Sequence, residues 1–301
     1  MDTKGRKANH TSAAWVLLSA GVLLFAASIA QPVYAQRGNF QSDTSQAVVS
    51  SITPVPSGVP GEKETAKNEI KVPPGTILPV RLNSSLSSSK SKANQVISAR
   101  IMQDVPLPGG AKIPEGSQVL GTIVQVAAAR SGSPAEISLR FDKLRTAHQS
   151  FPITTNLRAV AGFMDILNAQ TPTMGPGESD VYRWLTTVQV GGDVVYGDGG
   201  IVTKGDDSSH VVGKSVGGGV LGQITAKEGT KCRGPLFGND SPQALWVFSS
   251  DACGTYGLAH LEISHAGRSD PVGLIAFRSD AKDLRLPSGT GMLLRVGDLS
   301  K

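Results

Sequence analysis

The side chains best suited to catalysis gather late in the sequence, where His260 and His265 precede Ser269 and Asp270. A hydroxyl nucleophile, an imidazole base and a carboxylate are the three groups of a hydrolytic triad. No G-x-S-x-G motif surrounds the serine, and a chain with many serines contains such combinations by chance. We therefore predict no catalytic residue, and the sequence favours a protein that is not an enzyme.

Two glycine-rich stretches resemble ligand-binding loops but lack essential positions. Gly213-Lys214-Ser215 ends like a phosphate-binding loop, yet Ser208 stands where that loop needs a glycine. The Gly-Asp pairs between Gly192 and Asp207 are typical of turns and lack the spacing of a calcium loop. Scattered basic residues without interleaved aromatics disfavour nucleic acid. The sequence thus predicts no metal, no cofactor and no nucleic-acid partner.

The N-terminus has the pattern of a secretory signal. Three basic residues precede an uncharged apolar run at 13–30, and Val33-Tyr34-Ala35 has the small-residue spacing of a signal peptidase site. We predict that residues 1–35 are a signal peptide, cleaved between Ala35 and Gln36, and that the protein is exported to the periplasm or cell envelope. An uncleaved anchor is the alternative, because 18 apolar residues are about the minimum that spans a bilayer. Membrane contact is expected only through that segment.

Cys232 and Cys253 are the two cysteines of the chain. A lone pair in an exported protein predicts a disulfide, with two buried free thiols as the alternative. A zinc site is excluded by spacing, because His260 and His265 are five residues apart and would lie on opposite faces of a strand.

The remaining sequence is rich in turns and short strands. With 35 Gly and 18 Pro in 301 residues and few aromatics, it is typical of an all-β protein, mainly antiparallel and sandwich-like or barrel-like. We predict a flexible linker at 36–69, a barrel-like β unit at 70–157, and a helix with a Pro/Gly connector at 158–183. A second β unit carrying the disulfide follows at 184–301.

Alternating hydrophobicity defines the inward face of the first unit. Arg81, Arg100 and Arg140 occupy the polar phase of their strands and should be solvated. The opposite phase, which should point into the core, consists of Leu78, Leu82, Ile97, Ile101, Leu139 and Phe141. Pro79 favours an edge position for the first strand, because proline cannot donate to a ladder.

One stretch has helical spacing. Within 158–170, Val160, Phe163, Met164 and Leu167 would share one helix face. This stretch predicts a single short helix that bridges the two β units.

A short sequence pattern recurs at the start of strands. Val72-Pro73-Pro74-Gly75-Thr76 is echoed by Leu286-Pro287-Ser288-Gly289-Thr290 and, in shorter form, by Ile113-Pro114-Glu115-Gly116-Ser117. Proline at the second and glycine at the fourth position of a type I turn would explain the pattern. Either the turn chemistry is convergent, or two related units help to close one sheet system.

A family resemblance rests on the region between Pro73 and Val126. Its ordered features are Gly75-Thr76, Ala99, Asp104-Val105 and the run from Ile113 to Gly121. In this order they resemble the periplasmic barrel of the bridging channel subunit of type IV secretion and conjugation systems. The resemblance implies a β-barrel behind an N-terminal apolar segment and a periplasmic linker. The later half lacks that family's membrane-crossing insertion and resembles uncharacterised exported bacterial proteins.

These features predict an exported, non-enzymatic structural or interaction protein of the cell envelope, related to secretion-channel barrels, whose partners are other envelope proteins. A surface-exposed carbohydrate-binding or peptide-binding β module is the main alternative. A hydrolase is a third, unsupported class, since it would need a cleft with a nucleophile and a base within hydrogen-bond reach.

Overall fold

The computed structural model describes residues 72–169, 185–205, 207–225, 232 and 241–298. The predicted signal peptide with its Ala35–Gln36 cleavage site, the linker at 36–69 and residues 170–183 of the connector lie outside the described residues. Within the described ranges, the structure contains no helix with the length and apolar character needed to cross a membrane.

The described chain is mostly β structure, which confirms the predicted class. It contains one short α-helix, α1, at Phe163–Asn168 and two 3₁₀ turns, at Pro108–Gly110 and Asp198–Gly200. The first nine strands are β1 Ile77–Leu82, β2 Leu86–Ser87, β3 Val96–Ile101, β4 Val105–Pro106, β5 Lys112–Ile113, β6 Gln118–Ala127, β7 Ala135–Arg145, β8 Ser150–Pro152 and β9 Thr155–Ala161.

The remaining strands follow α1. They are β10 Leu185–Gln189, β11 Gly192–Tyr196, β12 Ile201–Lys204, β13 Asp207–Val216, β14 Gly219–Gly222, β15 Gln243–Trp246, β16 Gly254–Tyr256, β17 Leu261–Ala266, β18 Ile275–Ser279, β19 Arg285–Leu286 and β20 Gly291–Val296.

Ten strands form one large sheet. Its order is β16-β9-β20-β1-β3-β6-β7-β18-β17, with β8 paired to β7. Every pairing is antiparallel except the one between β16 and β9. The sheet curls until β9 approaches β7, where the Thr155 hydroxyl donates to the Phe141 carbonyl oxygen at 3.0 Å. The large sheet is therefore close to a barrel.

A second, small sheet is formed by the first six strands after α1. It has the order β10-β11-β12-β13-β14-β15, so each strand pairs with its neighbour in sequence. Strands β16, β17, β18 and β20, by contrast, belong to the large sheet. The second β unit is thus confined to 185–246, whereas the predicted unit ran to residue 301. The cause is non-local burial, since Leu78 and Val80 of β1 lie opposite Leu294 and Met292 of β20 in the core.

The core of the large sheet follows the predicted alternation. Arg100 and Arg140 are exposed and Arg81 is half-buried. The six predicted inward residues, Leu78, Leu82, Ile97, Ile101, Leu139 and Phe141, are all at most 1% exposed. The predicted strand phase is therefore confirmed.

The helix is shorter than predicted. Val160 lies in β9, where it pairs with Met292 of β20 and Thr255 of β16 and is fully buried. Phe163, Met164 and Leu167 are exposed, and Ile166 is the buried side chain of α1. The predicted helical face was wrong, because sheet pairing on both sides of β9 outweighs the local spacing.

Pro79 does not mark an edge strand. Strand β1 lies between β20 and β3, but its pairing with β3 covers only Val80 to Leu82. Pro79 stands just outside that ladder, and its carbonyl oxygen accepts from the Met102 N–H at 3.0 Å. A proline is accommodated in a central strand because the neighbouring ladder ends before it.

The recurring proline-glycine pattern forms the same turn three times. In each, the N–H of the Thr or Ser donates back to the carbonyl of the proline three positions earlier: Thr76 to Pro73, Ser117 to Pro114 and Thr290 to Pro287. The glycines are the third residues of these turns, with φ between 86° and 89°. Positive φ at that position is typical of a type II turn, so the predicted type I geometry was wrong. Two of the turns start β1 and β20, which pair with each other.

Candidate functional site

The predicted partners Cys232 and Cys253 have the geometry of a disulfide, with their Cα atoms 6.0 Å apart. Cys253 directly precedes β16, and its N–H donates to the Tyr256 hydroxyl at 2.9 Å. The Tyr256 hydroxyl in turn donates to the Cys253 carbonyl oxygen at 3.1 Å. These bonds fix Cys253 at the start of the edge strand of the large sheet.

A cavity of about 400 Å³ opens beside this disulfide. Its lining includes both cysteines, the side of β16 at Thr255, the acidic Glu262 of β17, and two arginines, Arg158 and Arg268. The cavity is thus assembled from β9, β16, β17 and the turn after β17, together with Cys232. A concave site with a few convergent charged groups is the usual form of a small-molecule site.

Arg158 is the buried charge of the cavity. It lies in β9 and is 4% exposed. Its guanidinium donates to the carbonyl oxygens of Thr225 at 2.5 Å and Ser250 at 3.3 Å, while its Nε is buried without a hydrogen-bond partner. Burial of a charged group costs free energy unless an opposite charge or hydrogen bonds compensate it, so the guanidinium of Arg158 is destabilising at this position unless it is compensated.

The positive charges of two further arginines, Arg268 and Arg295, lie close enough to Arg158 to influence its pKa. The Arg268 guanidinium donates to the Leu157 carbonyl oxygen at 3.0 Å and lies 3.3 Å from the sulfur of Cys232. Arg295 of β20 pairs in register with Asn156 of β9. Burial, together with the positive charges of Arg268 and Arg295, lowers the pKa of Arg158 to about 10. Burial also lowers the pKa of Arg268 and that of Arg295.

Among the described residues, the carboxylate whose charge interacts with Arg158 is Asp251, and it is hydrogen-bonded to other side chains. Its Oδ2 lies 2.7 Å from Lys204 Nζ, and its Oδ1 accepts from the Ser249 hydroxyl at 3.0 Å. Burial raises the pKa of Asp251, but these hydrogen bonds more than offset burial, and the pKa lies below its ordinary value. Asp251 is therefore an ionised group that is bound to Lys204.

The structure brings together only part of the hypothetical hydrolytic set. His265 Nε2 lies 3.3 Å from the Ser269 hydroxyl, but Nδ1 lies 2.6 Å from the Leu274 carbonyl oxygen, where a triad would place a carboxylate. Asp270 offers its backbone carbonyl to this ring, and His260 pairs with Asp280 instead. The His265 ring thus links residues of the turn between β17 and β18.

The other ligand-like motifs are structural. Gly213-Lys214-Ser215 lies within strand β13, not in a loop before a helix. In the residues that the structure describes, no three His, Cys, Asp or Glu side chains come together to hold a metal ion.

A second surface feature lies on the small sheet. The register places Val188, Ile201 and Val211 on the face opposite the buried Val194 and Val202. These three side chains are 58%, 44% and 59% exposed. We call this surface the outer face of the small sheet. Exposed apolar β-branched side chains on one face of a sheet suit an interaction surface.

The arginine-lined cavity was not predicted from the sequence. Arg158 fell in the stretch predicted to be helical, and Arg268 and Arg295 are far from it along the chain. No local pattern signals their approach: Arg295 lies beside β9 because β20 pairs with β9, and Arg268 reaches β9 through its hydrogen bond to the Leu157 carbonyl oxygen.

The described residues define an all-β protein with a curled large sheet, a small sheet and a disulfide-lined cavity. Comparisons of the chain with protein-family models, with curated proteins and with solved structures find no match.

Proposed function

We propose that this protein is an exported, non-enzymatic structural or interaction component of the cell envelope, and that it works by binding another envelope protein. The outer face of the small sheet carries this proposal. Val188, Ile201 and Val211 expose β-branched side chains on one face of the small sheet, a pattern that suits contact with an apolar partner surface.

The position of the channel-like stretch supports the same proposal. The region from Pro73 to Val126 contains β1, β3 and β6, which are consecutive neighbours in the large sheet. A relationship to the barrel of a secretion channel requires these strands to form one continuous wall. A disulfide and the lack of a membrane-spanning helix among the described residues are compatible with an exported protein.

Charge substitution on the outer face tests the proposal. The variant V211D places an unpaired carboxylate in the proposed contact, and we expect the fraction of protein that co-fractionates with envelope assemblies to fall about tenfold. The matched control is V96D, because Val96 is a 73% exposed valine in β3 of the large sheet. Cross-linking followed by fractionation measures the envelope-associated fraction of each variant. An equal loss for both variants, or wild-type protein found free of any assembly, would overturn the proposal.

The cavity beside the disulfide favours the second candidate, a surface-exposed module that binds a carbohydrate or peptide. Its volume of about 400 Å³ suits one sugar or one side chain. The two functions differ in placement, since a surface module is released from cells or is accessible to external protease, whereas an envelope component stays with membranes. A hydrolase is less well supported, because His265 Nδ1 faces a carbonyl oxygen.

A further inference from the structure

The arginines beside the disulfide carry an inference that is independent of the proposed function. Among the described residues, the hydrogen-bond acceptors of the Arg158 guanidinium are two backbone carbonyls, those of Thr225 and Ser250. A carbonyl dipole satisfies a donor but does not neutralise a full charge. The buried Nε has no hydrogen-bond partner in the part of the chain that the structure describes. Arg158 therefore has a buried charge that its backbone acceptors leave uncompensated.

Neighbouring arginines increase the positive potential at Arg158. The charges of Arg268 and Arg295 both act on Arg158, and Arg268 lines the same cavity. Within the described chain, the carboxylate whose charge interacts with Arg158 is Asp251, which is bound to Lys204. Glu262 is the acidic residue of the lining, and it is exposed to solvent. Among the described residues, the cavity lining thus combines two arginines with one solvent-exposed carboxylate.

We propose that this cavity binds an oxyanion, a phosphate or carboxylate group carried by a small ligand, with Arg158 and Arg268 as the binding residues. A guanidinium presents its donors in a planar fork that matches both kinds of oxyanion. A bound anion would also compensate the buried charge of Arg158. The polar Thr255 and Ser264 in the lining supply hydroxyls for the remainder of the ligand.

Calorimetric titration of the purified full-length chain, with its disulfide intact, tests this site. The probes are sodium phosphate and sodium acetate, each compared with sodium chloride at equal ionic strength. We expect saturable binding of phosphate or acetate with a dissociation constant of about 10 mM or tighter, and none of chloride. Binding of phosphate alone or of acetate alone supports the proposal and identifies the chemical class of the natural ligand.

Matched arginine variants locate the binding. R268Q removes one charged donor from the cavity, so we expect affinity to fall about tenfold or more. R140Q is the control, because Arg140 is an exposed arginine on β7 and does not line the cavity. Because Arg268 also donates to the Leu157 carbonyl oxygen, far-ultraviolet circular dichroism is used to check that R268Q is folded. R295Q is a second variant that reduces the positive charge near Arg158. No saturable oxyanion binding by the wild type, or equal losses in R268Q and R140Q, would overturn the proposal.

Discussion

Truncation of Phe141 is the sharpest test of how the large sheet is held together. Phe141 is 1% exposed and lies in register opposite Gly121 of β6. Its ring fills the space above that glycine, since a Cβ added at Gly121 would lie 2.9 Å from Phe141 Cδ1. The partner position therefore has no side chain that could fill the cavity left by Phe141→Ala.

The expected loss can be estimated from buried area. An aromatic side chain buries about 150–250 Å², and truncation to alanine removes roughly 120 Å² of it. At about 25 cal/mol per Å² this is about 3 kcal/mol, and an unfilled cavity raises the cost towards about 5 kcal/mol. The hydrogen bond from Thr155 is retained, because it is accepted by the Phe141 backbone.

The adjacent Arg140 provides the matched control. It is exposed and forms no ion pair with the described part of the chain, so Arg140→Ala should cost less than about 0.5 kcal/mol. Urea denaturation followed by circular dichroism gives both free energies of unfolding. Comparable losses, or a greater loss for Arg140→Ala, would refute the assigned strand phase and the curled sheet built on it.

Two further predictions concern the turn glycines and the carboxylate of Asp283. Gly116 and Gly289 have φ of 86° and 89°, but a Cβ at Gly116 meets open space whereas one at Gly289 would lie 2.5 Å from a Phe163 ring carbon. Gly116→Ala should therefore cost about 1–2 kcal/mol from backbone strain alone, and Gly289→Ala measurably more; equal costs by urea denaturation would contradict this. Hydrogen bonds from Arg285 and from neighbouring serines lower the pKa of Asp283. The stabilisation that the ionised Asp283 carboxylate contributes is therefore complete above the unfolded-state pKa of about 3.9, and it is lost as the pH falls towards the folded-state pKa. Asp283→Asn should cost about 1–2 kcal/mol at pH 7, and its difference from wild type should shrink below about pH 4; a gap unchanged in acid would show that the charge is unimportant.

Local patterns in the sequence were sufficient for the phase of the strands. The alternation around Leu139 and Phe141 predicts which side chains are buried, because a strand with one solvated face has a period of two residues. Local patterning did not predict the burial of Val160 in a strand, because β9 is paired on both sides and its apolar residues are too closely spaced to alternate. It also failed at Pro79, whose tolerance depends on where the neighbouring ladder ends.

The candidate site could not be predicted, because it depends on long-range pairing. An arginine in a strand is expected to be solvated, as Arg100 and Arg140 are. Arg158 is buried because segments distant in sequence, carrying Thr225 and Ser250, supply carbonyl acceptors to it. The disulfide was predictable because two cysteines permit only one intramolecular pairing, whereas the charges around it come from several strands.

The place of β20 between β1 and β9 has a consequence for synthesis. Strand β1 emerges from the ribosome early, but one of its two hydrogen-bonding neighbours is made only when residues 291–296 appear. Until then the apolar side chains of β1 and β9 lack a shared neighbour, and both strands present open edges that other chains could pair with. Completion of the large sheet is consequently a late event, and a chain truncated before Gly291 would depend on chaperones to escape aggregation.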